Sequence, residues 1–253
     1  MKIFLSFLLL IVLIICKAQI TKTYTVDGQI RTALIYEPTE KTAQTPVVFV
    51  FHGHGGNAQF VSRKIDVQNY YRNALVIFMQ GLPGRAVPGL DPNGTMNGWQ
   101  VFTNDLGGRD VAFFDTVLSD IHKGYKVDDK HIYLIGHSNG ARFVNVLWKL
   151  RGDKIAAICS ASAQGGDMIA GAPPLSVWMY IGQKDQIVSP ENQLKSVPIV
   201  KTNLGTTGDA KIDGDKSFFK GKNNTELVLQ QSDAGHGFPK ESLGDIVAFF
   251  KRH

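Results

Sequence analysis

The sequence predicts an α/β fold with a mostly parallel central sheet, an antiparallel N-terminal hairpin and helices on both faces. Strand-like runs alternate with helical patterns through most of the chain, and this order builds parallel sheets from β-α units. The first two strand-like runs, 21–26 and 29–36, instead alternate polar and apolar residues. They flank Asp27-Gly28, which is a strong signal for an antiparallel hairpin.

The remaining elements follow from apolar periodicity. The run 46–51 is continuously apolar, as is typical of a strand covered on both faces. After Asp110, which is expected to cap a helix, apolar residues recur at helical spacing through 111–125. The same reasoning predicts, in chain order, helix 60–71, strand 74–79, helix 111–125, strand 132–135, helix 141–148, strands 154–160, 175–181 and 226–231, and helix 240–251. No internal repeat or low-complexity linker interrupts this series, so we expect one domain over 19–253.

The first 18 residues have the pattern of a secretory signal peptide. A basic start is followed by the apolar run 7–15, which is too short for a membrane span of about 20 residues. Cys16-Lys17-Ala18 places small residues where a signal peptidase reads them, so cleavage near Ala18 is predicted. The alternatives are an uncleaved anchor and a lipidated Cys16, although Ile15 is large for a lipidation site. We therefore expect a secreted or periplasmic protein without a stable membrane span after cleavage.

Composition excludes several other classes of protein. A chain of 253 residues with 43% hydrophobic content can bury a full core. The net charge of +5 is small, and no basic run or RNA-binding aromatic motif accompanies it, so nucleic acid is not a predicted partner. Cys159 would be the only cysteine of the mature chain, which excludes an internal disulfide. Nothing in the sequence indicates the oligomeric state.

The strongest motif is Gly136-His137-Ser138-Asn139-Gly140, a G-x-S-x-G sequence between a predicted strand and a predicted helix. A nucleophilic serine in such a motif sits on a tight, strained turn, and the small neighbours let the backbone pass close by. Ser138 is therefore the predicted nucleophile. The alternative is an ordinary strand-to-helix turn in which the serine has no chemical role.

A serine hydroxyl needs an imidazole to take its proton, and that imidazole needs a carboxylate to orient it. In α/β-hydrolases these groups follow the serine in the order acid, then histidine. Two histidines follow Ser138, and of these His236 lies in a loop just past a strand whereas His253 ends the chain. His236 is the predicted base.

Asp185 directly follows a predicted strand at the same sheet edge, and it is the favoured acid. Asp167 lies further from its strand, and Asp233 is close to His236 in sequence, so both stay alternatives. Three further aspartates lie in a Gly- and Lys-rich stretch that we expect to be solvated, with calcium binding as a minor alternative: Asp209, Asp213 and Asp215.

The oxyanion formed during acyl transfer needs two N–H donors. One is predicted to be the backbone N–H of Asn139, which follows the nucleophile. The second is predicted to be the N–H of His54, in the glycine-rich turn 52–57 after the third strand. Two histidines in that turn could instead suggest a metal, but no third ligand lies near them in sequence, so no metal site is predicted.

Several segments together resemble the family of poly(3-hydroxybutyrate) depolymerases and feruloyl and acetylxylan esterases. They are His52-Gly53-His54-Gly55-Gly56-Asn57, Asn97-Gly98-Trp99, Asp110-Val111-Ala112-Phe113, Val127-Asp128-Asp129-Lys130-His131-Ile132-Tyr133, Gly136-His137-Ser138-Asn139-Gly140, Gly182-Gln183-Lys184-Asp185 and Gly235-His236-Gly237-Phe238-Pro239. The resemblance implies a secreted α/β-hydrolase without metal or organic cofactor, acting on esters of polymers or plant cell-wall carbohydrates. This chain lacks the extra cysteines and appended modules of many members, which favours soluble oligomers or oligosaccharide esters over solid polyester.

The loop 80–109 is the predicted specificity element, because it is rich in Gly and Pro and too long for a simple connection. Trp99 could be a flat platform for an aromatic acyl group or a sugar ring, or it could only pack the loop against the protein. Arg109 could contact a substrate carboxylate or be solvated.

The sequence thus predicts a serine carboxylic-ester hydrolase that works through an acyl-enzyme. Its predicted partner is an ester substrate, either an oligosaccharide ester or a polyester oligomer. A serine peptidase on the same scaffold is one alternative, although the chain has no room for the large cap such enzymes often carry. A catalytically inactive surface-binding protein is the other, although all three triad residues are present.

Overall fold

The computed structural model describes residues 19–85 and 89–253. The predicted signal peptide over 1–18, including the alternative of a lipidated Cys16, lies outside the described residues. Within the described ranges, none of the helices combines the length and the apolar character that crossing a bilayer requires.

The strands are β1 (Gln19–Val26), β2 (Gln29–Tyr36), β3 (Thr45–Phe51), β4 (Leu75–Met79), β5 (Leu82–Pro83), β6 (Asn97–Gly98), β7 (Val127–His137), β8 (Ala157–Ala161), β9 (Ser176–Gly182), β10 (Lys211–Asp213), β11 (Lys216–Lys220) and β12 (Glu226–Ser232). The α-helices are α1 (Ala58–Lys64), α2 (Arg109–Gly124), α3 (Asn139–Arg151), α4 (Pro190–Leu194), α5 (Ser196–Leu204) and α6 (Leu243–Lys251). Short 3₁₀ turns, such as Val67–Asn69 and Lys240–Ser242, connect some of them.

One sheet contains ten of these strands in the order β1-β2-β4-β3-β7-β8-β9-β12-β11-β10. The pairs from β4 to β12 are parallel, whereas β1, β2, β10 and β11 pair antiparallel at the two ends. The predicted fold class is therefore confirmed. In parallel neighbours all carboxyl ends lie at one edge, so the loops that follow β3, β7, β9 and β12 emerge together.

Two apolar cores cover the two faces of the sheet. Along β3, Val47, Phe49 and Phe51 enter one core while Val48 and Val50 enter the other, which is the period of two that a doubly covered strand requires. Buried residues of α2, α3 and α5 belong to the first core, and those of α1 and α6 to the second. Helices therefore lie on both faces, as predicted.

The N-terminal hairpin has the turn that its sequence indicates. Asp27 and Gly28 both have positive φ, 48° and 76°, as a two-residue hairpin turn requires. Asp110, by contrast, does not cap its helix, because the N-cap position of α2 is Gly108. The Asp110 carboxylate is fully buried, where it pairs with Arg31 at 2.8 Å and accepts a hydrogen bond from the Gln100 N–H at 2.8 Å.

Some elements differ from the sequence prediction. The predicted helix 60–71 ends at Lys64, and the predicted helix 240–251 begins only at Leu243. Asp209, Asp213 and Asp215 are exposed, as expected, but part of their stretch forms the hairpin β10–β11, in which Asp213 pairs with Lys216. Asp213-Gly214 is the hairpin signal that would have indicated it, although its flanking residues lack the usual apolar alternation.

Candidate active site

Ser138 lies at the sharp turn between β7 and α3. Its backbone has φ 56° and ψ −121°, a conformation that costs energy for a residue with a side chain. The flanking glycines make the turn sterically allowed. A Cβ on Gly136 would lie 2.5 Å from the Gly140 carbonyl oxygen, and a Cβ on Gly140 would lie 2.5 Å from the His52 carbonyl oxygen.

The side chains of Ser138, His236 and Asp185 form one continuous hydrogen-bonded chain. His236 Nε2 lies 2.9 Å from Ser138 Oγ, and His236 Nδ1 lies 2.8 Å from Asp185 Oδ2. The three residues follow β7, β12 and β9, whose carboxyl ends lie at the same sheet edge. A neutral imidazole in this position accepts the hydroxyl proton at Nε2 and donates Nδ1–H to the carboxylate.

Asp185 is held in place as a charged acceptor. Its Oδ1 accepts the Ile187 and Val188 N–H groups at 2.8 and 2.9 Å. Burial acts to raise the pKa of Asp185, but the bonds from His236, Val188 and Ile187 outweigh it and keep the pKa below its ordinary value. The carboxylate is therefore ionised at neutral pH.

Gln193 is a supporting residue that the sequence analysis missed. It lies on α4, fully buried, and its Nε2 donates to Asp185 Oδ2 at 3.0 Å and to the Val188 carbonyl at 2.7 Å. The start of α4 could have been recognised from Ser189-Pro190-Glu191, since serine and proline are common at helix starts. No motif indicates that Gln193 faces the carboxylate.

His52 and His54 have different environments. His52 Nε2 accepts the Gly81 N–H at 3.0 Å, so the proton resides on Nδ1, which donates to the Gly53 carbonyl at 2.7 Å. Burial lowers the pKa of His52 to about 4, and the imidazole is neutral at pH 7. The His54 ring is buried, and its Nε2 is 3.7 Å from Asp91 Oδ2.

Both predicted oxyanion donors belong to segments that meet beside Ser138. A Cβ added to Gly53 would lie 3.5 Å from Ser138 Cβ, so the turn that carries the His54 N–H runs directly past the serine. The Asn139 N–H is at the N-terminus of α3. Neither N–H donates to another protein group within the described residues. Their use as oxyanion donors stays a prediction.

His137 packs against the imidazole of His236, with ring centroids 5.1 Å apart. Burial, and then the neighbouring His236, lowers the pKa of His137 to about 4. Its Nε2 has no hydrogen-bond partner among the described residues. His137 is therefore a neutral ring beside the proposed base and brings no positive charge to it at pH 7.

Trp99 is fully buried, so the prediction that it forms a platform for substrate is wrong. The ring stacks on Phe143 at 5.3 Å with an interplanar angle of 8°, and its Nε1 donates to the His52 carbonyl at 2.9 Å. The packing alternative describes this residue. Arg109 is also largely buried and donates to the Leu82 carbonyl at 3.1 Å, so it is not a solvated arginine.

A cavity of about 630 Å³ opens beside Ser138 and His236. Three large apolar side chains on its wall are well exposed, namely Phe60 (56%), Leu90 (57%) and Ile187 (66%). Exposed apolar side chains around a cavity of this kind are typical of a binding site. Among the described residues that line it there are two lysines, Lys64 and Lys240, and no carboxylate residue.

The alternative acids and base lie elsewhere. Asp233 pairs with Lys184 at 2.7 Å, and His253 lies 3.4 Å from Glu226. Asp167 lies in a 3₁₀ turn. Among the described residues, the His236 ring bonds to Ser138 and Asp185 and not to Asp167. In the described part of the chain, no group of three or more His, Cys, Asp or Glu residues is arranged to hold a metal ion.

Sequence comparison finds relatives among feruloyl esterases, although no family model matches the chain. Feruloyl esterase D of Neurospora crassa is 24% identical over 181 residues, which cover 67% of this chain and 58% of that protein. A probable feruloyl esterase C of Aspergillus clavatus is 30% identical over 128 residues, covering 49% of this chain and 41% of that protein. The matched part thus spans about half the length of these relatives.

Structural comparison identifies the same fold in solved esterases. An acetyl xylan esterase from Aspergillus awamori matches with a TM-score of 0.72 at 14% identity, covering 94% of this chain and 100% of that chain. A feruloyl esterase module from Clostridium thermocellum, complexed with sinapinate, matches with a TM-score of 0.66 at 13% identity, covering 93% and 89%. The chain shares the α/β-hydrolase fold with these solved esterases, and the two sequence relatives confirm its predicted resemblance to feruloyl esterases.

Proposed function

We propose that the protein is a secreted or periplasmic serine carboxylic-ester hydrolase acting on polymer- or carbohydrate-linked esters. The observation that carries the proposal is the hydrogen-bonded chain from Ser138 through His236 to Asp185 at the strained turn. The cavity beside the serine, with its exposed apolar wall, supports a substrate with an apolar part.

In the first half of the reaction, Ser138 Oγ attacks the ester carbonyl carbon while His236 Nε2 takes the hydroxyl proton. Asp185 keeps the imidazole oriented and stabilises its charged form. The tetrahedral intermediate then expels the alcohol, which receives the proton from His236, and an acyl-enzyme remains.

In the second half, water loses a proton to His236 and attacks the acyl-enzyme carbonyl carbon. Collapse of this intermediate releases the carboxylic acid and returns the proton to Ser138 Oγ. The N–H groups of His54 and Asn139 would stabilise the oxyanion in both halves, each contributing roughly 3 kcal/mol by analogy with measured oxyanion donors.

The test compares the wild type, Ser138→Ala and Ser119→Ala on a panel of substrates. The panel contains methyl ferulate, acetylated xylan, hydroxybutyrate oligomers and a peptide amide. Ser119 is an exposed serine on α2 and serves as the matched control. We expect ester turnover by the wild type and Ser119→Ala and almost none by Ser138→Ala. Equal turnover by Ser138→Ala, or cleavage of the peptide alone, would refute the proposal.

A further inference from the structure

The segment 97–99, formed by β6 and Trp99, connects the two parts of the chain that carry the predicted oxyanion donors. On one side it is bound to the turn 52–56. The Gly55 N–H donates to the Asn97 carbonyl at 2.7 Å, and Asn97 Nδ2 donates to the Gly56 carbonyl at 3.2 Å. The indole of Trp99 adds its hydrogen bond to the carbonyl of His52 in the same turn.

On its other side, the segment 97–99 is bound to Asn139. The Trp99 N–H donates to Asn139 Oδ1 at 2.8 Å, and Asn139 Nδ2 donates back to the Trp99 carbonyl at 3.0 Å. Trp99 is fully buried and Asn139 is 3% exposed, so water does not compete for these bonds.

Gly98 completes the contact between the two sides. A Cβ at this position would lie 3.1 Å from Asn139 Oδ1 and 3.1 Å from His54 Nδ1. The Gly98 backbone is therefore packed between the side chains of the two residues whose N–H groups are the predicted oxyanion donors.

From these contacts we propose that the Asn139 carboxamide is a positioning residue for the oxyanion site. This inference rests on the proposed function. The His54 N–H belongs to the loop after β3 and the Asn139 N–H to the turn after β7, so neither element alone sets their separation. Both donors must lie about 2.7–3.1 Å from one developing oxyanion, and a misplacement of about 1 Å can cost on the order of 10²-fold in rate. Through Trp99, the Asn139 side chain holds that separation.

The inference predicts a loss of kcat with little change in KM. Asn139→Ala keeps the backbone N–H but removes both bonds to Trp99, so we expect kcat to fall on the order of 10-fold or more. Trp99→Phe keeps the buried ring and both bonds to Asn139 but removes the bond to the His52 carbonyl, so a smaller fall is expected.

Trp148→Phe is a matched control. Trp148 lies near the C-terminal end of α3, far from Ser138 along the helix, and is also fully buried. Its indole Nε1 donates to the Pro173 carbonyl at 2.7 Å. The two tryptophan variants should lose similar thermal stability, whereas only Trp99→Phe should lose kcat.

The experiment measures kcat, KM, thermal midpoint and inhibition by a trifluoromethyl ketone, a tetrahedral-intermediate mimic, for each variant. We expect the inhibition constant of Asn139→Ala to rise by the same factor as kcat/KM falls, while inhibition by the acid product stays within twofold. A wild-type kcat in Asn139→Ala, or a loss of kcat in Trp148→Phe as large as that in Trp99→Phe, would overturn the inference. Failure of the proposed function looks different, because Ser138→Ala would then turn over ester as well as the wild type.

Discussion

Gly140 offers a direct test of how the turn at Ser138 is held. A Cβ at position 140 would overlap the carbonyl oxygen of Phe51 and lie 2.5 Å from that of His52. Both atoms belong to the backbone at the end of β3, which cannot move aside as a flexible side chain can. In Gly140→Ala the start of α3 must therefore separate from β3 by roughly 1 Å, the shortfall from an ordinary contact.

Overpacking of a close contact typically costs about 1–3 kcal/mol, and two backbone overlaps place Gly140→Ala near the upper limit. For a chain of this length, about 3 kcal/mol corresponds to a fall of roughly 6–12 °C in the thermal midpoint. Calorimetry measures the shift, and ester turnover should fall as well because Ser138 moves with α3.

Gly124→Ala is the control for this substitution. Gly124 ends α2, and a Cβ there would meet no atom within 4 Å. Alanine favours the helix over glycine by about 1 kcal/mol, so the midpoint should stay or rise. Equal midpoints for Gly140→Ala and Gly124→Ala would refute the steric reasoning.

Three further predictions concern buried polar groups. Asp185→Asn should lower kcat by roughly 10³–10⁴-fold, because an amide does not stabilise the imidazolium of His236, and unchanged kcat in steady-state assays would contradict this. His52 has a folded-state pKa of about 4 against 6.5 when unfolded, so the unfolded chain binds more protons between these pH values. His52 should therefore contribute about 3 kcal/mol to the loss of stability between pH 6.5 and pH 4, in addition to the loss from His137, whose pKa is also about 4. Urea titrations should show a smaller loss in His52→Asn than in the wild type, and an equal loss would exclude His52 as a source. Asp110→Ala should destabilise the protein by about 3–5 kcal/mol because it leaves Arg31 charged and buried, and a denaturation midpoint like that of the wild type would contradict this.

The parts of the fold that sequence predicts well are those in which a residue's surroundings follow from local pattern. The run 46–51 is apolar throughout because β3 is covered on both faces. Asp27-Gly28 forms a hairpin turn because both residues adopt positive φ. The order of Ser138, Asp185 and His236 along the chain, together with the position of each after a predicted strand, selects three side chains that the structure brings within hydrogen-bonding distance.

Other features depend on contacts between distant segments and could not be read from one stretch of sequence. Trp99 lies in a polar, glycine-rich loop, which suggests exposure, yet Phe143 and the His52 carbonyl bury it. The support that Gln193 gives to Asp185 requires the position of α4 relative to β9. Asp110 lies near a predicted helix start, as a capping residue does, and only the approach of Arg31 from β2 reveals a buried ion pair.

The most direct test of the central claim is labelling by a fluorophosphonate followed by mass spectrometry of the intact protein and its peptides. An activated serine reacts with this probe, whereas an ordinary serine hydroxyl does not. We expect one adduct per chain on the peptide that contains Ser138, no adduct in Ser138→Ala, and much slower labelling in His236→Ala. An unlabelled wild type, or equal labelling of Ser138→Ala, would contradict the account.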